Sequence, residues 1–135
     1  MPKQYRTREG QVTAVDTKTQ LSTLGSETAP GPLLVPAKAK QINAIIASFG
    51  CNLAVAADGA YIVRLEGPGL PEGPEVIAIG ASGVPVATGG VYTNAARRIE
   101  LAIPVVPSNE ILVFAENVGE DTGSTEVAVT IEFAQ

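Results

Sequence analysis

The stretch that most constrains the fold is Glu126-Val127-Ala128-Val129-Thr130-Ile131-Glu132-Phe133, in which Val127, Val129, Ile131 and Phe133 share one face. A period of two sets every second side chain on the same side of a sheet, whereas a helix scatters that set around its circumference. Two earlier segments carry the theme. Arg98 to Ile103 alternates polar and apolar, and Glu110 to Glu116 is an apolar run between charged ends. Within that run Ile111-Leu112-Val113-Phe114-Ala115 is apolar on both faces, so both faces are expected to be covered, by a second layer or by a neighbouring subunit.

Further strands are expected upstream. Tyr61, Val63 and Leu65 share one face of 60–66 and should point inward. Glu75 to Ile79 forms another short strand. Gln41 to Phe49 holds three isoleucines and a phenylalanine and reads as a strand; the spacing of Ile42, Ile45, Ile46 and Phe49 also fits a helix, which remains the alternative. Asp58-Gly59 between two apolar runs is a hairpin signal. Gly67 to Pro74 is a turn-rich link that excludes helix and central strand. Residues 80–96 read as a long loop, with Val84-Pro85-Val86 extended and Tyr92 anchoring it by packing. Pro104 places the end of its strand at an edge or bulge. About eight short strands with frequent turns make an all-β, antiparallel β-sandwich of jelly-roll or Greek-key type. An immunoglobulin-like sandwich is the alternative, without its usual Trp and cysteine pair.

Charge divides the chain. Residues 1–40 carry six basic side chains (Lys3, Arg6, Arg8, Lys18, Lys38, Lys40) and three acidic ones, whereas residues 41–135 carry three basic and eleven acidic. Residues 1–17 are expected to form an extended N-terminal arm, with 1–9 ordered only by a partner and an edge strand at 11–16; residues 18–135 form the single sandwich domain. A basic arm on an acidic body suits contact between copies of the chain, and chance clustering is the alternative. The acidic body argues against nucleic acid as the main partner. Charged residues make up 17%, below the roughly 25% usual for soluble domains, as expected where partner subunits cover some surface. The start is polar, without the apolar core of a signal peptide, and no stretch is apolar enough for a transmembrane helix.

The same reading narrows the chemistry. There is no histidine, which removes the usual general base and the commonest metal ligand. The one cysteine, Cys51, has no internal disulfide partner and lies in apolar surroundings as a buried thiol. Ser82 and Ser108 sit in turns, where serine is common. Acidic pairs around 66–75 and 110–121 are too ordinary in a chain with 14 carboxylates to mark a glycosidase. Glu120 and Asp121 offer calcium ligands without the EF-hand spacing, and Gly80 to Gly83 lacks the lysine of a phosphate loop. The chain is therefore expected to have no catalytic, cofactor or metal residues. The candidate subunit contacts are Lys3, Arg6, Arg8, Arg97, Arg98, Leu112 and Phe114. Arg97-Arg98 would meet a carboxylate on a neighbour.

The flexible arm at 1–17, the jelly-roll-like strand pattern and the segments Pro32-Leu33-Leu34-Val35-Pro36 and Pro104-Val105-Val106-Pro107 resemble the small coat or capsid-decorating proteins of tailed bacteriophages and related viruses. That resemblance implies a homotrimer or other cyclic oligomer on a virion surface, contact with a capsid shell protein, and no enzyme activity. The alternative is a small β-sandwich module that binds carbohydrate or protein, with 67–75 or 117–123 as the place for a glycan or calcium ion.

Overall fold

A computed structural model of the chain describes residues 3–12, 17–22, 31–52, 59–82, 91–93, 96–118 and 124–135. Ten strands are present among them: β1 (Lys3–Val12), β2 (Thr19–Gln20), β3 (Leu33–Leu34), β4 (Gln41–Asn52), β5 (Gly59–Glu66), β6 (Glu75–Ser82), β7 (Val91–Thr93), β8 (Arg97–Pro104), β9 (Glu110–Asn117) and β10 (Ser124–Ala134). All pairings are antiparallel, and two sheets result. The first runs β1-β10-β4, with β7 and β8 both on the far side of β4; the second runs from β2 and β3 through β9 and β5 to β6. No helix among the described residues is long and apolar enough to cross a membrane.

The pairing is nested. β1 pairs β10, β2 and β3 pair β9, β4 pairs β8, and β5 pairs β6. That is one long hairpin with its tip at 67–74. It is rolled so that β10 also meets β4 and β9 also meets β5. This is the jelly-roll form of the sandwich, which the strand pattern left open beside the Greek key.

Between the sheets lies one apolar core. Val127, Val129, Ile131 and Phe133 of β10 face Tyr61, Val63 and Leu65 of β5 and Ile111, Val113 and Ala115 of β9, all buried. These are the inward sets that the period of two assigns. Leu112 and Phe114, on the opposite face of β9, are half-buried. β4 is a strand, and its helix-like spacing has a local cause. The register shifts between Ile42 and Ala44 and, opposite, between Glu132 and Phe133. The extra residue lets both Ile42 and Ile45 face inward despite their odd separation.

Three expectations change. Residues 1–9 were expected as an arm ordered only by a partner; instead β1 starts at Lys3 and lies along β10 for its whole length, and of the edge strand expected at 11–16, residues 11–12 end β1 at the sheet margin while 13–16 lie outside the described residues. Second, β4 and β5 do not pair as a hairpin but belong to different sheets; the run 53–57 and Asp58, on which the expected hairpin rests, lie outside the described residues. Third, residues 91–93 of the expected loop pair with β4. The extended segment Val84-Pro85-Val86, the Cys51 and Tyr92 side chains, and Glu120 and Asp121 also lie outside the described residues.

The tip of the long hairpin folds back on β9. Gly69 N donates to Glu110 O at 2.8 Å, and Val106 N donates to Gly69 O at 2.9 Å. A Cβ on Gly69 would meet Ile111 Cγ1 at 2.7 Å and Glu110 O at 2.9 Å, so only glycine allows this approach.

Candidate functional site

The charged residues expected at subunit contacts divide among several places. On the outer face of the first sheet, Tyr5, Glu132, Ala44 and Glu100 are aligned across β1, β10, β4 and β8. Glu132 is 1% exposed although it points away from the core, because a single layer of longer side chains covers it. Arg98 Nη2 donates to Glu132 Oε2 at 2.8 Å and Nη1 to Oε1 at 3.2 Å. Tyr5 Oη donates to Oε1 at 2.9 Å, and Lys3 Nζ lies 3.6 Å from the same oxygen. The small Ala44 leaves room for Arg98 to cross β4. Two-pronged hydrogen bonding by Arg98, helped by Tyr5, outweighs burial and holds the Glu132 carboxyl down at about 2. The same contacts raise Arg98, and the bond to Glu132 raises the Tyr5 phenol. Arg98 therefore has carboxylate partners within its own chain, Glu132 and Glu100. This cluster ties the outer half of β1 to the sheet.

Arg6 and Arg8 lie on the opposite face of β1, across from Ile131 and Val129. They line an open groove of about 520 Å³ with Pro32, Leu34, Ala37 and Ser108. Arg8 Nε donates to Gly31 O at 2.8 Å and Nη2 to Pro32 O at 3.2 Å, which fixes the groove wall to the strand. Burial, with Arg6 close by, lowers the Arg8 guanidinium below its ordinary value. Ser108 holds the groove's far rim at φ 66°, and its N–H donates to Val35 O at 2.9 Å. Both arginines also turn back on their own strand. Arg6 Nη1 donates to Tyr5 O at 3.0 Å and Arg8 Nη1 to Thr7 O at 2.8 Å.

Arg97 sits on the far side of the sandwich, where Nη1 donates to Ile79 O at 3.2 Å and joins β8 to β6. Leu112 and Phe114 lie on the outer face of the second sheet. Lys18 covers Phe114, with its Nζ 4.4 Å from the ring centre, and also pairs with Glu66 at 2.7 Å. Arg64 pairs with Glu116 beside them at 2.9 Å. The structure thus brings Lys3 to Arg98, Arg6 to Arg8, and Leu112 to Phe114, and sets Arg97 apart from all of them. Sequence reasoning missed Glu132, Tyr5 and Val76. The available signal for Glu132 was a carboxylate at an outward position of the most regular strand.

Among the described residues no three histidine, cysteine or acidic side chains group as a metal site would. No protein-family model matches the chain, and no curated protein matches it. Among solved structures, the chain is weakly similar to one from infectious bursal disease virus, described as the structure of its Gt strain, with 12% identity and a TM-score of 0.29. The match covers 97% of this chain and 36% of the viral one, so the chain spans about a third of its length.

Proposed function

We propose that this chain is a non-enzymatic structural subunit that assembles with copies of itself, as a virion coat or capsid-decorating protein. The observation that carries the reading is where its apolar side chains reach solvent. Of the four exposed large apolar side chains among the described residues, Tyr5, Leu34 and Val76, at 49%, 58% and 56%, lie on strands at the margins of the sheets, and Val118 follows the end of β9. Exposed apolar groups at sheet margins favour contact with another protein. The charged groups support the same reading. Glu132, Glu116 and Glu66 are each paired with a cation that holds strands together, in place of converging on a cleft as an acid–base pair would. The jelly roll is an architecture of capsid subunits, and also of lectins and cupins, so it allows the function without selecting it. A trimer, and a capsid shell protein as the wider partner, belong to this proposal.

The binding-module reading is favoured by the groove beside Arg6 and Ser108. Light scattering coupled to size exclusion, across a concentration and salt series, separates the two. A discrete oligomer supports assembly. A monomer at every concentration transfers the function to the groove.

A further inference from the structure

Sheet edges expose backbone donors and acceptors, and the pairing parity shows which ones. Glu9 exchanges both of its backbone hydrogen bonds with Ser22, at 2.9 and 2.8 Å, so its groups point away from β10. Every second residue of an antiparallel strand points the same way. The N–H and C=O groups of Tyr5 and Thr7 therefore also face outward, and no described strand lies beyond them. The carbonyls of Tyr5 and Thr7 are the ones that Arg6 and Arg8 cap.

β6 has an outward edge of the same kind. Ala60 O accepts from Val118 N at 2.7 Å on the β9 side, so Val63 and Leu65 turn toward β6 and meet Ile77 and Glu75. Val76 and Ala78 then point their backbone groups outward, and both side chains are exposed. The Arg97 contact closes this edge at Ile79, leaving 75–78 open among the described residues.

The two open edges lie at opposite sides of the sandwich and differ in charge. β1 carries Lys3, Arg6 and Arg8 against the single acid Glu9, while β6 follows Glu72 and starts at Glu75. Pairing β1 with a second β1 would set two groups of Lys3, Arg6 and Arg8 side by side, which repel. We propose that the β1 edge of one copy pairs antiparallel with the β6 edge of a second copy, with Tyr5 opposite Ala78, Thr7 opposite Val76 and Arg8 opposite Glu75. In this register every outward backbone group of one strand meets an outward group of the other. Tyr5 lies over Ala78 and Val76 on the shared outer face. The carbonyls of Tyr5 and Thr7 exchange their arginine caps for backbone N–H groups, and Arg8 Nη1, freed from Thr7 O while Nε and Nη2 stay on Gly31 and Pro32, turns to Glu75. Because two different surfaces join, the contact propagates head to tail into a ring or a filament.

This inference rests on the self-assembly reading and is tested separately from it. Glu75→Lys and Glu75→Gln change the charge of a residue at the start of β6. Opposite Arg8, on the face that both side chains share, they differ in sign and in degree. Light scattering on the full chain should show association weakened about tenfold or more by Glu75→Lys and less by Glu75→Gln, with added salt eroding the difference. In a Cys51→Ser background, a mixture of Tyr5→Cys and Ala78→Cys copies treated with a short bismaleimide should give mixed cross-linked pairs. Association that ignores both charge variants, or cross-links only between Tyr5→Cys copies, overturns the edge pairing and leaves self-assembly standing. A wild-type monomer throughout overturns both. Binding of an acidic peptide by a monomer also overturns the pairing between copies.

Discussion

Docking of β1 on β10 is open to a quantitative test at Thr7 and Thr130. Their hydroxyls are 2.9 Å apart on directly opposed residues. The parity set by Glu9 makes this a non-hydrogen-bonded pair, with Cα atoms typically about 4.5 Å apart, inside the roughly 4.4–6.8 Å window of a disulfide. With Thr7→Cys and Thr130→Cys in a Cys51→Ser background, oxidation closes almost the whole chain into one loop. Chain-entropy arguments give about 4.7 kcal/mol for a loop of ~100 residues, and engineered bridges deliver about 2–4 kcal/mol. For a chain of this size 1 kcal/mol moves the unfolding midpoint by roughly 3–4 °C, so the oxidised form should melt about 6–16 °C above the reduced one. The reduced form is the proper reference, because losing the threonine contact itself costs about 0.2–1 kcal/mol. Thermal melts by circular dichroism, with and without reductant, give the difference directly. A monomer in which the disulfide fails to form, or forms without raising the midpoint, would refute the β1–β10 register.

Four other substitutions probe separate regions of the fold. Glu132 keeps its charge to lower pH when folded than when unfolded, so the stability it adds is complete above about pH 5 and lost as pH falls toward about 2. Glu132→Gln should flatten the acid limb of a denaturant-midpoint profile over that window, and an unchanged limb would dismiss the cluster as a source of stability. At the hairpin tip, Gly69→Ala should cost about 1–3 kcal/mol by crowding Ile111 and the Glu110 carbonyl. Gly73, at φ +94° with nothing near its absent Cβ, should lose only about 1–2 kcal/mol of backbone strain in Gly73→Ala; denaturant titrations giving the reverse order would contradict the packing of the tip on β9. Ser108→Gly relieves a left-handed residue and should be neutral or stabilising by up to about 1 kcal/mol, with clear destabilisation counting against the observed turn.

Strands with one wet and one dry face were legible in the sequence because their chemistry is periodic. β10 and β5 announce both their conformation and their buried face through Val127 to Phe133 and Tyr61 to Leu65. β4 was ambiguous because its bulge breaks the period at the point where Ile42 and Ile45 both turn inward. β1 left no apolar trace. Its core-side positions are Gln4, Arg6, Arg8, Gly10 and Val12, and only Val12 is a buried apolar side chain. What holds the strand is a ladder of backbone bonds, a threonine pair and Glu132, none of which has a local signature. The nested strand order was hidden for a related reason. Asp58-Gly59 carries the local mark of a hairpin, yet the partners of β4 and β5 are chosen by the sheets they complete. Glu132 and Arg98 meet only because β4 lies between their strands, so no spacing along the chain reveals the pair.

The most direct test of the account is amide hydrogen exchange resolved along β1 and β6 as protein concentration is raised. In dilute solution the amides of Arg6 and Arg8 should be protected by β10, while those of Tyr5 and Thr7 exchange freely. At concentrations where the mass increases, Tyr5, Thr7, Val76 and Ala78 should become protected together. If Tyr5 and Thr7 stay fast while the mass rises, assembly uses another surface; if Arg6 and Arg8 are also fast in dilute solution, β1 is not part of the sheet and the account fails at its foundation.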